Sequence, residues 1–519
     1  MTSAKHLRHY SVRAAGLALV ACIMASCGGN APSSGHTATV GGLKLPTSVV
    51  RAGQIDPPPG SSLTSGPIGA NPAKEHGVQL NVISGILNDQ PIYDGNFADP
   101  FALRTPNTLY IYASSSGPSR NNAAANVPVI GLARNNGFAG KFVGDALPNP
   151  PKWTVPRFQW GPAVWAQSDG TYVLYYSTPA TIPLGCLGTP PAVGCVRTTT
   201  GETAAACISR ATATNPAGPF VDNSSSAFVC PIDEGGAIDP SVFVSPDGTA
   251  YLLWKSDGDC CHKATVIYSQ QLSSDGLSTV GPPHQMIGAT QPWEGGLVEG
   301  PSMIEENNDF WLFYSANTWG NSHYGIGLAR CASAIGPCSK PLDHAWLASQ
   351  GNDKGPGGQE FYTTGPLVWM VRHSLAPGQS GNSAERGLYL SLLAFPSGQV
   401  PRLAAAAPAA ALAEAVVYYG DPSLPKAPQA AYLALMRKLG GPPSATTNAS
   451  LLTDASLTCG ALGKGKNVGA ILTTLNGRGL DTFDSHLVIL LATEYQCQSR
   501  AAKATQVMVA ALNQSAATS

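Results

Sequence analysis

The chain has 519 residues, of which only 12% are charged, and its formal net charge is −1 at pH 7. No basic stripe can form that would neutralise phosphates, so the composition argues against a nucleic-acid partner and favours a neutral substrate. The 57 glycines and 43 prolines supply the frequent turns that an all-β architecture needs.

The first 27 residues have the parts of a secretory signal, so we expect an exported protein. Basic residues within positions 1–13 precede an apolar stretch at 14–24, which is too short to cross a bilayer as a helix. The order Met24-Ala25-Ser26-Cys27 resembles a bacterial lipobox. The resemblance implies that Cys27 is diacylated and that this lipid is the protein's only link to the membrane, on the outer face of the cytoplasmic membrane. Plain cleavage and secretion is the alternative.

Residues 28–77 are small, polar and rich in Gly, Ser and Pro, which predicts a flexible tether. From residue 78 to 403 the sequence changes to short aromatic and β-branched runs separated by turns. Five runs share one pattern that ends in or next to a serine, at 109–114, 172–177, 251–256, 310–315 and 368–374. Each run follows a turn and an earlier short strand, and the five earlier strands open on Asp99, Gly161, Asp239, Gly300 and Gly358.

Five units of roughly 60 residues, each with paired strands and a hairpin, are typical of radially repeated sheets. The region 78–403 is therefore predicted to be a five-bladed β-propeller, with a β-sandwich as the alternative. In a propeller the equivalent residues that open the innermost strands form a ring at one mouth of the channel. This ring brings together Asp99, Asp239 and Glu299, the residue before Gly300.

A convergent set of carboxylates in a neutral, concave site suits cleavage of glycosidic bonds. One carboxyl must protonate the leaving oxygen while another, ionised, activates water. A third carboxylate can raise the pKa of the acid. Asp99, Asp239 and Gly300 are each followed by a proline. The competing interpretation is that these Asp-Pro and Gly-Pro dipeptides only make turns.

The residues around this ring resemble those of glycoside hydrolase family 43 over about 90–402. The segments that carry the resemblance begin at Phe97, Trp160, Ile238 and Val298. The resemblance implies an inverting glycosidase on a five-bladed propeller, with Asp99 as general base, Glu299 as general acid and Asp239 as pKa modulator. It also implies that Trp160, Phe97 and Arg386 contact the sugar.

Two departures from the family pattern concern blades two and five. Ala163 stands where the family has a carboxylate, and Gly358 stands where many members have a histidine that helps to hold a channel calcium. We therefore expect no required cofactor, and the loss of this histidine argues against the calcium, for which Gln359 or His373 would be only partial substitutes as ligands.

The ten cysteines after position 27 are an even number, which predicts disulfides in an exported chain. The plausible local pairs are Cys186–Cys195, Cys207–Cys230, Cys331–Cys338 and Cys459–Cys497. Cys260 and Cys261 remain, either as a vicinal pair or with other partners. They lack a second pair at ligand spacing, which argues against a zinc site.

Residues 404–427 read as an Ala/Pro-rich linker, and 428–512 show apolar residues at helical spacing. We expect a small helical domain stapled by Cys459 and Cys497, its last long helix capped by Thr482, Asp484 or Ser485. It resembles a small secreted domain of unknown function from high-GC bacteria. A spacer, or a site for an envelope protein partner, is its expected role.

The sequence thus predicts an exported glycosidase that cleaves arabinofuranosyl, xylosyl or related furanosyl linkages in polysaccharides or oligosaccharides with inversion. The alternative is a propeller that binds envelope glycan without cutting it. A retaining invertase-type enzyme is disfavoured, because no Asn-Asp-Pro-Asn-Gly segment occurs.

Overall fold

The computed structural model describes residues 37–40, 43–46, 77–78, 85–86 and 89–497, the last range with gaps. The gaps fall at 94, 106–107, 116–123, 134–139, 183–195, 198–202, 262, 365–366, 382, 406–424 and 439–445. The predicted signal with Cys27, the pair Cys186–Cys195 and most of the tether and linker lie outside the described residues. The side chains of Cys260 and Cys261 also lie outside them.

Twenty-three strands are described, and most belong to five sheets that follow one another along the chain. Strands β1 (Thr37–Val40) and β2 (Leu43–Pro46) form a separate hairpin within the predicted tether. The first blade contains β3 (Gly77–Val78), β4 (Phe101–Arg104), β5 (Thr108–Tyr112), β6 (Pro128–Ala133) and β7 (Gly140–Asp145). The second contains β8 (Trp160–Ala166), β9 (Tyr172–Ile182), β10 (Val196–Arg197) and β11 (Thr203–Ala213).

The last three blades each have four strands in sequence order. Blade three contains β12 (Ala237–Val244), β13 (Ala250–Ser256), β14 (Val266–Leu272) and β15 (Thr279–Gly288). Blade four contains β16 (Val298–Glu306), β17 (Asp309–Ala316), β18 (Gly325–Cys331) and β19 (Cys338–Ser339). Blade five contains β20 (Gly357–Thr364), β21 (Leu367–Leu375), β22 (Arg386–Ala394) and β23 (Arg402–Leu403).

The innermost strands of the five blades form a closed ring: β4, β8, β12, β16 and β20 each contact the next, and β20 contacts β4. The predicted five-bladed β-propeller is therefore confirmed. Backbone hydrogen bonds also join the two ends of the ring, because the segment before β4 pairs with β22. The amide of Ile92 donates to the carbonyl of Leu388, and that of Phe97 donates to the carbonyl of Arg386.

Each of these inner strands opens on a residue in the left-handed region, with φ between 49° and 57° at Asp99, Gly161, Asp239, Gly300 and Gly358. The strand register shifts at the same place in β8, β12, β16 and β20. Such a bulge re-aims the flanking side chains. Glycine adopts this conformation freely and aspartate tolerates it at a cost, so the backbone conformation alone would favour glycine at the two aspartate positions.

The hydrophobic core lies between neighbouring blades. One cluster joins blades one and two, and others join two to three, three to four and four to five. The cluster that joins blades five and one continues into the C-terminal helices through buried side chains such as Tyr432, Leu435 and Leu487. The helices thus share their core with the propeller.

Four C-terminal helices are described: α1 (Pro428–Lys438), α2 (Asn448–Gly463), α3 (Val468–Asn476) and α4 (Thr482–Tyr495). The predicted cap of the last helix was wrong. Asp481 caps α4, because its carboxylate accepts the N–H of Asp484, and the three predicted residues lie inside the helix. No helix within the described part of the chain is long and apolar enough to span a membrane.

Three of the four predicted disulfides are confirmed. Cys207–Cys230 lies beside blade two, Cys331–Cys338 links β18 to β19, and Cys459–Cys497 joins α2 to the second residue after the end of α4.

Candidate active site

The five residues with left-handed φ that open the inner strands form the rim of the propeller. A ring of other side chains, at the ends of the strands β5, β9, β13, β17 and β21, supports this rim. The residue before each left-handed position pairs with Ser114, Ser177, Lys255, Ser315 or His373, in blade order. In four blades this side chain accepts a hydrogen bond from the backbone N–H of the left-handed residue in the next blade. The four bonds are Ser114 to Gly161 (2.9 Å), Ser177 to Asp239 (2.8 Å), Ser315 to Gly358 (2.9 Å) and His373 to Asp99 (3.0 Å).

Blade three is the exception, because an ammonium group cannot accept a hydrogen bond. Lys255 occupies the ring position there, and the backbone N–H of Gly300 donates instead to Oδ2 of Asp239 at 3.0 Å. The neighbouring Ser256 accepts from the amide of Val266 within its own sheet. Asp239 therefore does for blade four what a serine or histidine does elsewhere.

Asp99 lies among groups that favour its charged form. The hydroxyl of Ser114 donates to Oδ2 at 2.6 Å, and Nη1 of Arg386 donates to Oδ1 at 3.1 Å. Burial opposes ionisation, but the Arg386 guanidinium and the Ser114 hydroxyl outweigh it and hold the pKa of Asp99 below its ordinary value. Burial and the same arginine lower the pKa of His373 to about 3, so its ring is neutral and Nδ1 can accept the Asp99 amide.

Asp239 and Glu299 have the opposite electrostatics. Burial raises the pKa of Glu299, although Nζ of Lys255 lies 3.3 Å from its Oε2 and the Tyr324 hydroxyl donates to its Oε1 at 2.6 Å. Burial and the charge of Glu299 raise the pKa of Asp239. Two buried carboxyls that interact this strongly titrate as a pair, and the pair retains a proton more readily than free carboxyls do.

The other residues predicted to contact sugar differ in placement. Arg386 reaches the rim, as described, while Trp160 opens β8 with 8% exposure and packs edge-on against Phe158. Its indole N–H has no hydrogen-bond partner among the described residues. Phe97 is fully buried in the cluster between blades five and one, against Tyr93. Its assignment to the sugar is corrected, since a core ring offers no surface to a ligand.

The side-chain atoms of Gln359 and Nδ1 of His373, the residues suggested for a channel calcium, already make hydrogen bonds within the protein. Oε1 of Gln359 accepts from Ser315, its Nε2 donates to the carbonyl of Gly300, and His373 already holds the Asp99 amide. A Cβ at Gly358 would lie 2.5 Å from Nδ1 of His373, so the His373 imidazole fills the space that a side chain at 358 would need. No group of three or more His, Cys, Asp or Glu side chains that could hold a metal ion occurs in the described ranges.

Three residues near the carboxylates were missed from the sequence. Lys255 stands beside the serine that completed the sequence pattern, and the strand register moves it into the ring. Tyr324 and Trp319 come from the connection between β17 and β18, which lies outside the repeated runs. The Arg386 guanidinium lies 4.5 Å from the centroid of the Trp319 ring. Of the residues that surround the carboxylates, only the recurrent serines could be recognised in the sequence, because they belong to the repeated runs.

Comparison with known proteins gives the family. The profile of glycosyl hydrolases family 43 matches residues 88–400, more than half of the chain. The β-D-galactofuranosidase xynD of Aspergillus niger is 26% identical over 230 residues, which cover 40% of this chain and 56% of that protein. The chain thus spans little more than half the length of this relative.

Two solved structures are similar to part of this chain. A thermostable family-43 glycoside hydrolase is 22% identical and matches 59% of this chain and 92% of its own, with a TM-score of 0.45. An α-L-arabinofuranosidase from Lactobacillus brevis is 17% identical and matches 62% of this chain and 96% of its own, with a TM-score of 0.46. Because the profile match includes strands of all five blades and the three rim carboxylates, the chain belongs to glycosyl hydrolases family 43.

Proposed function

We propose that the rim hydrolyses furanosyl linkages in a polysaccharide or oligosaccharide with inversion of the anomeric carbon. Asp99 is the general base, Glu299 the general acid and Asp239 the group that keeps the acid protonated. The observation that carries this proposal is the opposite ionisation of carboxyls on one rim: the pKa of Asp99 is lowered, while those of Asp239 and Glu299 are raised.

In the proposed reaction the Asp99 carboxylate takes a proton from a water molecule as that water attacks the anomeric carbon. Ser114 and Arg386 hold the carboxylate in its charged form and fix its direction. Glu299 gives its proton to the glycosidic oxygen as the bond to the anomeric carbon breaks. The leaving group departs as an alcohol, and Glu299 is left ionised beside Lys255 and Tyr324.

The name of the Aspergillus relative supports a furanose sugar, so galactofuranosyl joins arabinofuranosyl among the expected substrates, with xylosyl next. Trp160 suits a sugar floor, because it combines an apolar ring with an N–H that lacks a partner in the described structure. A panel of 4-nitrophenyl α-L-arabinofuranoside, β-D-galactofuranoside and β-D-xyloside would identify the sugar. Proton NMR of the first-formed product would show an inverted anomer.

Substitution of Glu299 by Gln tests catalysis directly. The variant should lose turnover by about 10²-fold or more on a substrate with a poor leaving group. Glu306→Gln, at the far end of the same strand, is the matched control and should keep full activity. A wild-type protein that cleaves none of the three sugars, yet binds glycan in calorimetry with unchanged affinity in Glu299→Gln, would instead identify a glycan-binding propeller.

We also propose export with a lipid on Cys27, supported by the signal-like residues 1–27. Incorporation of an alkyne-labelled fatty acid into the wild type but not into Cys27→Ser would support it; equal labelling would reject it. The helices α1–α4 remain proposed as the site of an envelope protein partner, to be tested by site-specific crosslinking from exposed Leu457. Crosslinks distributed at random would argue against that role.

A further inference from the structure

In four blades the side chain at the ring position is a hydrogen-bond acceptor, whereas in blade three it is a buried lysine. Lys255 is 1% exposed, and its Nζ lies 3.3 Å from Oε2 of Glu299, 2.8 Å from Oδ1 of Asp259 and 3.7 Å from Oδ1 of Asp257. A serine at this position would satisfy the fold, as Ser114, Ser177 and Ser315 do. The ring of hydrogen bonds therefore does not require a lysine here, and the role of Lys255 lies in its contacts with the carboxylates.

Charged groups face this ammonium from three elements. Asp257 and Asp259 follow β13, the latter in the 3₁₀ turn Gly258–Cys261; Asp239 lies on β12 and Glu299 on β16. Burial disfavours the charged ammonium, but Asp259, Glu299 and Asp257 outweigh it and hold the pKa of Lys255 well above its ordinary value. The lysine is thus positively charged at neutral pH.

The two aspartates change what this charge does to Glu299. A lone ammonium at 3.3 Å would force the neighbouring carboxyl to ionise, and an ionised carboxyl cannot donate a proton. Because Asp259 lies closer to Nζ than Glu299 does, the ammonium is already paired. Asp259 itself acts to raise the pKa of Glu299, in opposition to Lys255.

We propose that Lys255, neutralised by Asp259, is a positioning residue that fixes the orientation of the Glu299 carboxyl against the leaving oxygen. It holds Oε2 while Tyr324 holds Oε1, so that the carboxyl has contacts at both oxygens and cannot rotate freely. This inference rests on the proposed role of Glu299 as general acid. Because Asp259 balances the charge of the ammonium, Lys255 can hold the Glu299 carboxyl in place without causing it to lose its proton.

The proposal gives opposite expectations for the two partners. Removal of the positive charge in Lys255→Met raises the pKa of Glu299, so the alkaline limb of kcat/KM moves to higher pH. Removal of the negative charge in Asp259→Asn leaves the ammonium uncompensated, lowers the pKa of Glu299 and moves that limb to lower pH. A role in packing alone would not move the limb in opposite directions.

Leaving-group dependence separates positioning from general damage. Lys255→Met should lose about 10²-fold in kcat on an alkyl furanoside, which needs the acid, but only a few-fold on a 2,4-dinitrophenyl furanoside, which does not. Lys255→Arg should restore part of the loss. Lys340→Met, which removes the buried lysine paired with Glu294 elsewhere in blade four, is the control and should alter neither substrate selectively.

A titration without substrate keeps this inference separate from the proposed function. The carboxyl carbon of Glu299 can be followed by ¹³C NMR in protein labelled at glutamate, and assigned by its loss in Glu299→Gln. Opposite shifts of its titration in Lys255→Met and Asp259→Asn would support the inference even if no tested sugar were cleaved. Identical titration in the wild type and both variants, or equal loss on both classes of furanoside, would overturn it.

Discussion

Arg386 donates a hydrogen bond of 3.1 Å to Asp99, a residue 287 positions earlier in the chain. The contact joins the third strand of the last blade to the opening of the first. It ties closure of the propeller to the ionisation of the proposed base, because Arg386 is 2% exposed and its charge acts at short range.

Loss of this arginine should affect the acid side of the pH profile. In Arg386→Met the pKa of Asp99 rises, because burial then acts without its main opposing charge. The base must be ionised, so the acid limb of kcat/KM moves to higher pH and activity is lost most below neutrality. Arg330→Met removes a largely exposed arginine paired with Asp309 and should leave the profile unchanged. An unaltered acid limb in Arg386→Met would contradict the assignment of Asp99.

His373 should make the protein less stable in acid. Its pKa lies at about 3 in the folded protein, below its value of about 6.5 in the unfolded chain. Between these values the unfolded chain binds the proton and the folded protein does not, so stability falls as pH falls, by at most about 1.4 kcal/mol per pH unit. His373→Ser keeps an acceptor for the Asp99 amide and removes this dependence.

Urea denaturation at pH 7 and pH 5 measures the effect. The variant should lose less stability than the wild type over this interval, by about 1–2 kcal/mol. His344→Ser, at an exposed histidine, is the control and should behave as the wild type does. Equal losses in His373→Ser and the wild type would show that His373 is already charged in the folded state.

Gly358 and His373 should be coupled. A methyl group at 358 would lie 2.5 Å from Nδ1 of His373, and the left-handed backbone adds strain, so Gly358→Ala should cost about 2 kcal/mol or more. His373→Ser should recover part of this cost, and a double-mutant cycle from urea denaturation gives the coupling energy. Gly281→Ala, at a left-handed glycine with φ of 68° and nothing within 4 Å of the added Cβ, should lose less stability, and that loss isolates the backbone strain. Strict additivity at 358 and 373 would contradict the close approach.

The disulfide between Cys459 and Cys497 should stabilise the propeller as well as the helices that it joins. It closes a loop of 38 residues, for which about 3–4 kcal/mol is expected. Because the helical core continues into the cluster between blades five and one, the double variant Cys459→Ala/Cys497→Ala should lower the Tm of the propeller as well. Separate calorimetric transitions, with the propeller transition unmoved, would show that the two cores are independent.

The sequence by itself determined that Asp99, Asp239 and Glu299 meet on one rim. A repeat with a near-constant offset must place equivalent residues at equivalent positions around an axis, so five openings imply a ring before any contact is known. The disulfides between cysteines near in sequence and the helices after residue 428 could be predicted for a similar reason, since each depends on a local sequence pattern.

Only the tertiary structure decided which side chains surround those carboxylates. Lys255 displaces Ser256 from the ring because the bulge and the hairpin together set the register, and the repeated serine concealed that choice. Phe97 is buried because blades five and one close over it. Tyr324 and Trp319 lie on a connection outside the repeated runs; Tyr324 reaches Glu299 within blade four, and Trp319 reaches Arg386 of the adjacent blade five. Short-range periodicity predicts where a strand begins, whereas its neighbours across a ring depend on register and closure.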